Sequence, residues 1–390
     1  MRYFFIHGRE SLLSKAELEA VLNSHDYTNY NITLKDRFTL LDIKAEVQDI
    51  KNLFYKLGGF ISFGVVYENI DNVIEEHINS QPSKTIFGLS IYTDNPRKYN
   101  EKSIKKVLEY IKNELKDHKI PSRFVIPNGL TIDSGRLIGN RVLEKGFELV
   151  ILEDKEYIAY GKTLAVQNID MYSVIEFEKP FTDKNMGVLP SKLAQIMINL
   201  SGAKEGDTIW DPFCGSGTIL LMGLLNGNNV LGSDIDKAGI DGSIENINWL
   251  AKNVDLKDLK YQVFELDINN PYGRTLTLLK RTDVSAIVCE PYMGPPQFKV
   301  LSTAKAKEHL EVVEKLYSNL FNIIMETRKR DCTIVLVSPA YKTRDGWLSL
   351  QMTKILPKRW EIKNIEKDLH WKRTNSIIKR NILIIKSKSS

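Results

Sequence analysis

Asp211-Pro212-Phe213-Cys214-Gly215-Ser216-Gly217-Thr218 follows the short apolar run Thr208-Ile209-Trp210 and opens onto Ile219-Leu220-Leu221-Met222. A strand that ends in an acid, turns on glycines and enters a helix is how an open α/β sheet presents backbone amides and one carboxylate to a small charged ligand. A side chain at Gly215 or Gly217 would keep the backbone away from that ligand, and glycine takes positive φ freely. A dinucleotide fingerprint fits poorly because its third glycine falls on Leu220, and a phosphate loop fails because Gly217 is followed by Thr218 rather than Lys. An acidic first residue repels phosphate and suits an ammonium or sulfonium group. S-adenosylmethionine carries both.

Strands at Thr208-Trp210, Val230-Ser233, Tyr261-Leu266, Ala286-Val288, Thr333-Val337 and Asn381-Ile385 alternate with helical stretches such as Lys192-Leu200 and Ala304-Glu326. Alternation of that kind predicts a doubly wound, Rossmann-like α/β sheet with helices on both faces. Upstream, Tyr3 to Ile6, Phe38 to Ile43 and Ile61 to Val66 read as strands around a helix at Val47 to Leu57. Ser14 and Glu17 have the spacing of a capping box opening another helix. A strand at Phe87 to Tyr92 precedes a helix near Glu101 to Asp117, with Ile104, Val107, Leu108, Ile111 and Leu115 on one face and Lys102, Lys105, Lys106, Lys112 and Lys116 opposite. Phe147 to Leu152 and Tyr157 to Tyr160 read as a hairpin, and the irregular run from Asn168 to Met186 reads as a linker.

The chain of 390 residues is long enough for two or three domains, and 43% hydrophobic with 26% charged residues is ordinary globular composition. A net charge of +5, from 54 basic and 49 acidic residues, permits a nucleic-acid partner without demanding one. Cys214, Cys289 and Cys332 are too scattered for a disulfide framework, and no Cys/His cluster supports a metal site. The start, Met1 to Gly8, turns polar too soon for a signal peptide, and no apolar run approaches bilayer length, so a cytoplasmic protein is expected.

Each of the next two strands in the C-terminal half also ends in an acid. Asp234, in Val230-Leu231-Gly232-Ser233-Asp234-Ile235-Asp236, stands where an acid accepts ribose hydroxyls, with Asp236 as the alternative and, equally, a helix cap. Asp267 follows the third strand and suits a hydrogen bond from an adenine amino group. The fourth strand end reads Cys289-Glu290-Pro291-Tyr292-Met293-Gly294-Pro295-Pro296. An acceptor followed by Pro-Tyr suits methyl transfer to an exocyclic amine, whose lone pair is conjugated with its ring. Hydrogen bonds accepted from that amine aim the lone pair and relieve the positive charge that develops. Tyr292 is placed to stack on the base. Neither Cys214 nor Cys289 has a visible base partner, which argues against a cysteine nucleophile.

These strings, with Val188-Leu189-Pro190-Ser191-Lys192-Leu193-Ala194 ahead of them, resemble the THUMP-domain RNA methyltransferases, and within them the tRNA (guanine-N2)-methyltransferases that modify guanosine 10. The resemblance implies an N-terminal ferredoxin-like domain over 1–65, a THUMP RNA-binding domain over 66–166, a linker over 167–188 and a methyltransferase domain over 189–390. It implies S-adenosyl-L-methionine as cofactor, held by Pro190, Asp211, Phe213, Cys214, Gly215, Gly217, Asp234, Ile235 and Asp267. It implies tRNA as partner, a monomer as a workable state, and, as in eukaryotic relatives, room for a small activating subunit. Ribosomal RNA is the alternative substrate, and a tRNA-binding protein with a vestigial methyltransferase fold is the non-catalytic reading. One departure concerns catalysis. The family shows Asp or Asn, a variable residue, then Pro-Tyr, whereas here Cys289 takes the acid's position and Glu290 the variable one. Cysteine is a weak acceptor. Either the Glu290 side chain reaches the amine, which is the favoured reading, or backbone carbonyls near Pro291 orient it. Lys192, Arg328, Lys329, Arg330, Lys372 and Arg373 are candidate phosphate contacts.

Overall fold

The computed structural model describes residues 1–182, 188–256, 258–327, 331–364 and 368–388. It divides into one unit made of Met1–Lys15 and Tyr27–Ile169 and a second made of Ala16–Asp26 and Asp170–Ser390.

The first unit is built on eight strands: β1 Arg2–His7, β2 Tyr30–Leu34, β3 Phe38–Ile43, β4 Phe60–Tyr67, β5 Thr85–Thr93, β6 Ser122–Val125, β7 Gly146–Glu153 and β8 Ile158–Val166. They form one mixed sheet in the order β2-β3-β1-β4-β8-β7-β5-β6. β5 runs parallel to β6 and β7, and β7 and β8 form the expected hairpin. The antiparallel pairing of β4 with β8 puts strands from 1–65 and from 66–166 in the same sheet.

The helix Glu101–Asp117 covers part of that sheet. Asn100 accepts from the Ser103 amide at 2.9 Å while the Ser103 hydroxyl accepts from the Asn100 amide at 2.9 Å, a reciprocal cap that fixes where the helix begins. Ile104, Leu108, Ile111 and Leu115 are buried against Phe87, Leu89 and Phe147, each contributing about 1.5–3 kcal/mol. The five lysines expected opposite are exposed.

Two readings need correction. The first helix runs Ser11–Ser24, three residues ahead of the expected cap, and the Ser14 hydroxyl donates to the carbonyls of Glu10 and Gly59 at 2.9 and 2.8 Å instead of opening a helix. The run from Asn168 to Met186 is not irregular throughout, since it holds the helix Ile169–Ser173 and a π-helical turn at Val174–Glu178, while residues 183–187 lie outside those described.

The second unit contains β9 Thr208–Asp211, β10 Asn229–Asp234, β11 Tyr261–Glu265, β12 Ala286–Cys289, β13 Thr333–Thr343, β14 Gly346–Ser349, β15 Trp360–Ile362, β16 His370–Trp371 and β17 Ile378–Ser387. The strand order is β11-β10-β9-β12-β13-β17-β15, with β14 beside β13 and β16 beside β17. β9 to β13 are parallel and β17 is antiparallel to β13. The helix Thr303–Thr327 buries Ala306, Leu310, Val313, Tyr317, Leu320, Phe321 and Ile324 at helical spacing, and the Tyr317 hydroxyl finds the Val337 carbonyl at 2.7 Å. This is the Rossmann-like sheet that the alternating pattern calls for.

Candidate active site

Leaving β9, the chain builds β10 and β11 on one side and then crosses to β12 on the other. At such a switch point the loops leaving β9 and β12 diverge, and a crevice opens at the carboxyl ends of the strands. Asp211 ends β9 and Glu290 immediately follows β12, so both singled-out strings flank this crevice.

The glycine loop is held from several directions. Gly217 has φ of +78°, and a Cβ there would meet the Ser243 hydroxyl at 3.0 Å, so only glycine fits without strain. Gly215, at φ +48°, has open space where a Cβ would lie, and its amide donates to Asp234 Oδ2 at 2.8 Å. Ser243, on the helix Lys237–Asn253, donates to the Gly215 carbonyl at 2.6 Å. Cys214 is buried behind the loop, packed toward Gly232.

Asp211 is 2% exposed and its Oδ1 accepts from the Phe213 amide at 3.0 Å. Burial drives its carboxyl well above the usual range, against the Phe213 hydrogen bond, and the negative charges of Asp234 and Glu290 push it further. Asp211, with the carboxyl groups of Asp234 and Glu290 near enough to push it up, marks a place at the strand ends that a cation would relieve. Asp234 accepts from the Asp236 amide at 3.0 Å as well as from Gly215, and Asp236 caps the next helix through the Ala238 amide at 3.2 Å. The cap reading of Asp236 is therefore the structural one. Asp267, half-buried, accepts from the Asn269 amide at 2.8 Å, and Ile235 stands exposed at the tip of β10. Phe213 is half-buried, and Pro190 is the N-cap of the helix Ser191–Ser201. An acidic crevice with open glycine backbone, a strand-tip carboxylate and an apolar side chain at its rim fits an adenosine-bearing cation.

Across the crevice, Cys289 is fully buried and Pro291 is buried. Burial raises the Cys289 thiol well above its usual range, with Asp211 and Glu290 adding to it, and burial raises Cys214 likewise, so neither is a thiolate nucleophile. Glu290 Oε1 accepts from Arg380 Nε at 2.5 Å, with both side chains largely shielded. Tyr292 is half-exposed. The Tyr341 hydroxyl donates to the Met293 carbonyl and braces this loop.

Sequence reasoning missed three positions. Arg380 sits on β17, in the polar stretch Lys379-Arg380-Asn381 between Ile378 and the apolar run Ile382–Ile385. Lys179 lies within the presumed linker, yet it is 5% exposed, and its ammonium donates to the hydroxyls of Ser216 and Thr218 at 3.3 and 3.1 Å. Burial brings Lys179 down to about 8, opposed by Glu176. Asn246 ties the same segment down, accepting from the Phe181 amide and donating to the carbonyls of Phe181 and Ser216, all at 2.9 Å. Of the expected phosphate contacts, Arg328, Lys329 and Arg330 lie outside the described residues, Lys372 and Arg373 are exposed, and Lys192 is packed over the Tyr172 ring at 5.3 Å. No group of His, Cys, Asp and Glu among the described residues could hold a metal ion, and no helix among them is long and apolar enough to cross a membrane.

Residues 181–362 match the family model described as the RMKL-like methyltransferase domain, UPF0020. A tRNA (guanine(10)-N2)-dimethyltransferase of Methanothermobacter thermautotrophicus is 29% identical over 51% of this chain, a match that spans about half of that relative's own length (53%). The rat tRNA (guanine(10)-N(2))-methyltransferase TRMT11 is 24% identical over 88% of this chain and 76% of its own. Among solved structures, TrmN of Thermus thermophilus shares the fold over the whole of both chains at a TM-score of 0.55 and 13% identity. Residues 181–362 are thus similar to the UPF0020, RMKL-like methyltransferase domain, in a chain similar to the tRNA (guanine(10)-N2)-methyltransferases.

Proposed function

We propose that the protein transfers a methyl group from S-adenosyl-L-methionine to the exocyclic N2 amine of a guanosine in tRNA, at position 10. The observation that carries the reading is Glu290. It is a carboxylate at the end of β12, fixed by Arg380, across the switch-point crevice from the acid and glycines of the β9 loop.

When bound, S-adenosylmethionine supplies a methyl group activated by its sulfonium. Asp211 and the Gly215–Gly217 backbone would hold its amino-acid end, and Asp234, Ile235 and Asp267 its adenosine. With Arg380 engaging Oε1, Glu290 has lone pairs left to accept a hydrogen bond from the guanine amine. That bond turns the nitrogen lone pair out of conjugation with the ring and offsets the positive charge the nitrogen gains. Tyr292 stacks on the base after it leaves its helix. The Glu290 oxygen that Arg380 leaves free takes the proton that the amine sheds. Substrate RNA is assigned to residues 66–166 as a THUMP part, supported by the exposed lysine face of Glu101–Asp117.

The test is transfer of labelled methyl from S-adenosylmethionine to unmodified tRNA transcripts, followed by nucleoside analysis. N2-methylguanosine or its dimethyl form, lost when position 10 is changed to adenosine, is the expected product. Label in ribosomal RNA alone would replace tRNA by rRNA. Cofactor binding without transfer to any RNA would favour the non-catalytic reading.

A further inference from the structure

The loop that follows Tyr292 ends in an unusual place for an aromatic ring. Phe298 is 94% exposed, and its neighbour Lys299 is exposed beside it. A ring that protrudes so fully contributes almost nothing to the fold, since the gain from burying it is forgone. The loop carrying it is nonetheless anchored. Tyr341 holds the Met293 carbonyl, His309 packs edge-on against the Tyr341 ring with centroids 5.9 Å apart, and the Leu301 amide donates to the Lys342 carbonyl at 3.2 Å.

Lys342 is a junction. Its carbonyl takes the Leu301 amide, its own amide donates to the Ile377 carbonyl at 2.9 Å, and in the β13–β14 hairpin it stands directly opposite Trp347. Directly opposed residues share a face of a hairpin, so Lys342 and Trp347 project to the same side. Trp347 is 39% exposed, with the Lys379 ammonium over its ring at 5.8 Å, and Arg344 at the turn is exposed. One structural knot thus joins two presented aromatic rings and three exposed cations, at the rim where β12 and β13 deliver the candidate catalytic loop.

Aromatic faces interleaved with cations on a braced rim match the chemistry of an unpaired polynucleotide, in which bases offer π-faces and phosphates offer charge. A peptide partner would leave the cations unmatched unless it were acidic, and an acidic peptide has no use for two separate stacking faces. We infer that this rim binds unpaired RNA flanking the target nucleotide, with Phe298 and Trp347 stacking on bases and Lys299, Lys342 and Arg344 facing phosphates. The inference rests on the proposed RNA substrate. It adds a docking surface on the methyltransferase unit itself, apart from residues 66–166, and it explains how a base pulled from its helix is kept from falling back.

The experiment compares the full-length wild type with Phe298→Ala, Trp347→Ala, their combination and Phe298→Trp. Three readouts are taken: affinity for an unmodified tRNA transcript and for a short unpaired oligoadenylate, affinity for S-adenosylhomocysteine, and melting temperature. Each alanine should weaken oligoadenylate binding roughly tenfold. Phe298→Trp should restore it, while S-adenosylhomocysteine affinity and melting temperature stay at wild-type values. Neutralising Lys299, Lys342 and Arg344 together should lower the salt slope of oligoadenylate binding by about 2. Wild-type RNA affinity in the double variant would overturn the inference, as would a parallel loss of S-adenosylhomocysteine binding or stability. Unchanged transfer by the variants beside an active wild type would sink the rim alone. A wild type that neither binds nor methylates RNA would sink the proposed function.

Discussion

Arg380 and Glu290 are 90 positions apart in sequence, and Arg380 Nε donates to Glu290 Oε1 at 2.5 Å in a pair with side chains only 17% and 13% exposed. A charge-assisted bond in so shielded a setting fixes direction more than it adds stability. Of the two odd residues at the end of β12, it is Glu290 whose side chain the pair holds in one orientation. Cys289 is fully buried, whereas Glu290 keeps partial exposure with one oxygen taken.

Breaking the pair from the arginine side should be costly twice over. Arg380→Met leaves a shielded carboxylate alone and is expected to lower stability by on the order of 3 kcal/mol, read by denaturant unfolding. It should also lower kcat for methyl transfer by about a hundredfold, because the acceptor is no longer aimed. Adding Glu290→Gln to that variant should recover most of the stability and none of the activity. A double variant that regains activity would show the pair to be structural only.

Lys179 gives a prediction of the opposite kind. Burial already holds its ammonium down to about 8, so the charge is expensive to keep, yet it bonds the two hydroxyls of the glycine loop. Lys179→Met removes that cost, and the melting temperature should hold or rise. Calorimetric affinity for S-adenosylmethionine should fall about tenfold as the loop loses its brace. Unchanged affinity would reduce Lys179 to a packing residue.

Glu148, on β7, predicts a pH dependence. It is 1% exposed, with the hydroxyls of Ser90 and Thr163 donating at 2.5 and 2.6 Å, and burial pushes its carboxyl up to about 7 against those two bonds. The folded value lies above the ordinary value of 4.5. Its contribution is therefore full below that ordinary value and is lost as pH rises through 7, by on the order of 3 kcal/mol. Unfolding measured from pH 4.5 to 8 should show wild type losing stability relative to Glu148→Gln as pH rises. A constant difference between the two proteins would contradict the assignment.

The parts of the site legible in sequence were local ones. Asp211 to Thr218 and Cys289 to Pro296 carry their meaning in consecutive residues, because a strand end, a turn and a helix start must follow one another in the chain. The helix Glu101–Asp117 was legible to the residue, since an amphipathic stripe and a cap suffice to define it. What escaped depends on partners far apart in sequence: Arg380 from Glu290, Lys179 from Thr218, and Asn246 from Phe181. β13 runs to Thr343 rather than Val337 because its far half pairs with β14, which the pattern of apolar residues did not reveal. At Ser14 a capping motif was present in sequence, but the chain had already entered its helix at Ser11.

The most direct measurement is methyl transfer to a tRNA carrying inosine in place of guanosine at position 10, beside the guanosine form. Inosine keeps the ring, the carbonyl and the ribose and lacks only the N2 amine. Transfer to guanosine and none to inosine is expected, with both RNAs binding equally well. Transfer to the inosine form at the same rate would place the methyl on a ring nitrogen or the ribose and contradict the assignment of Glu290 as the amine's acceptor.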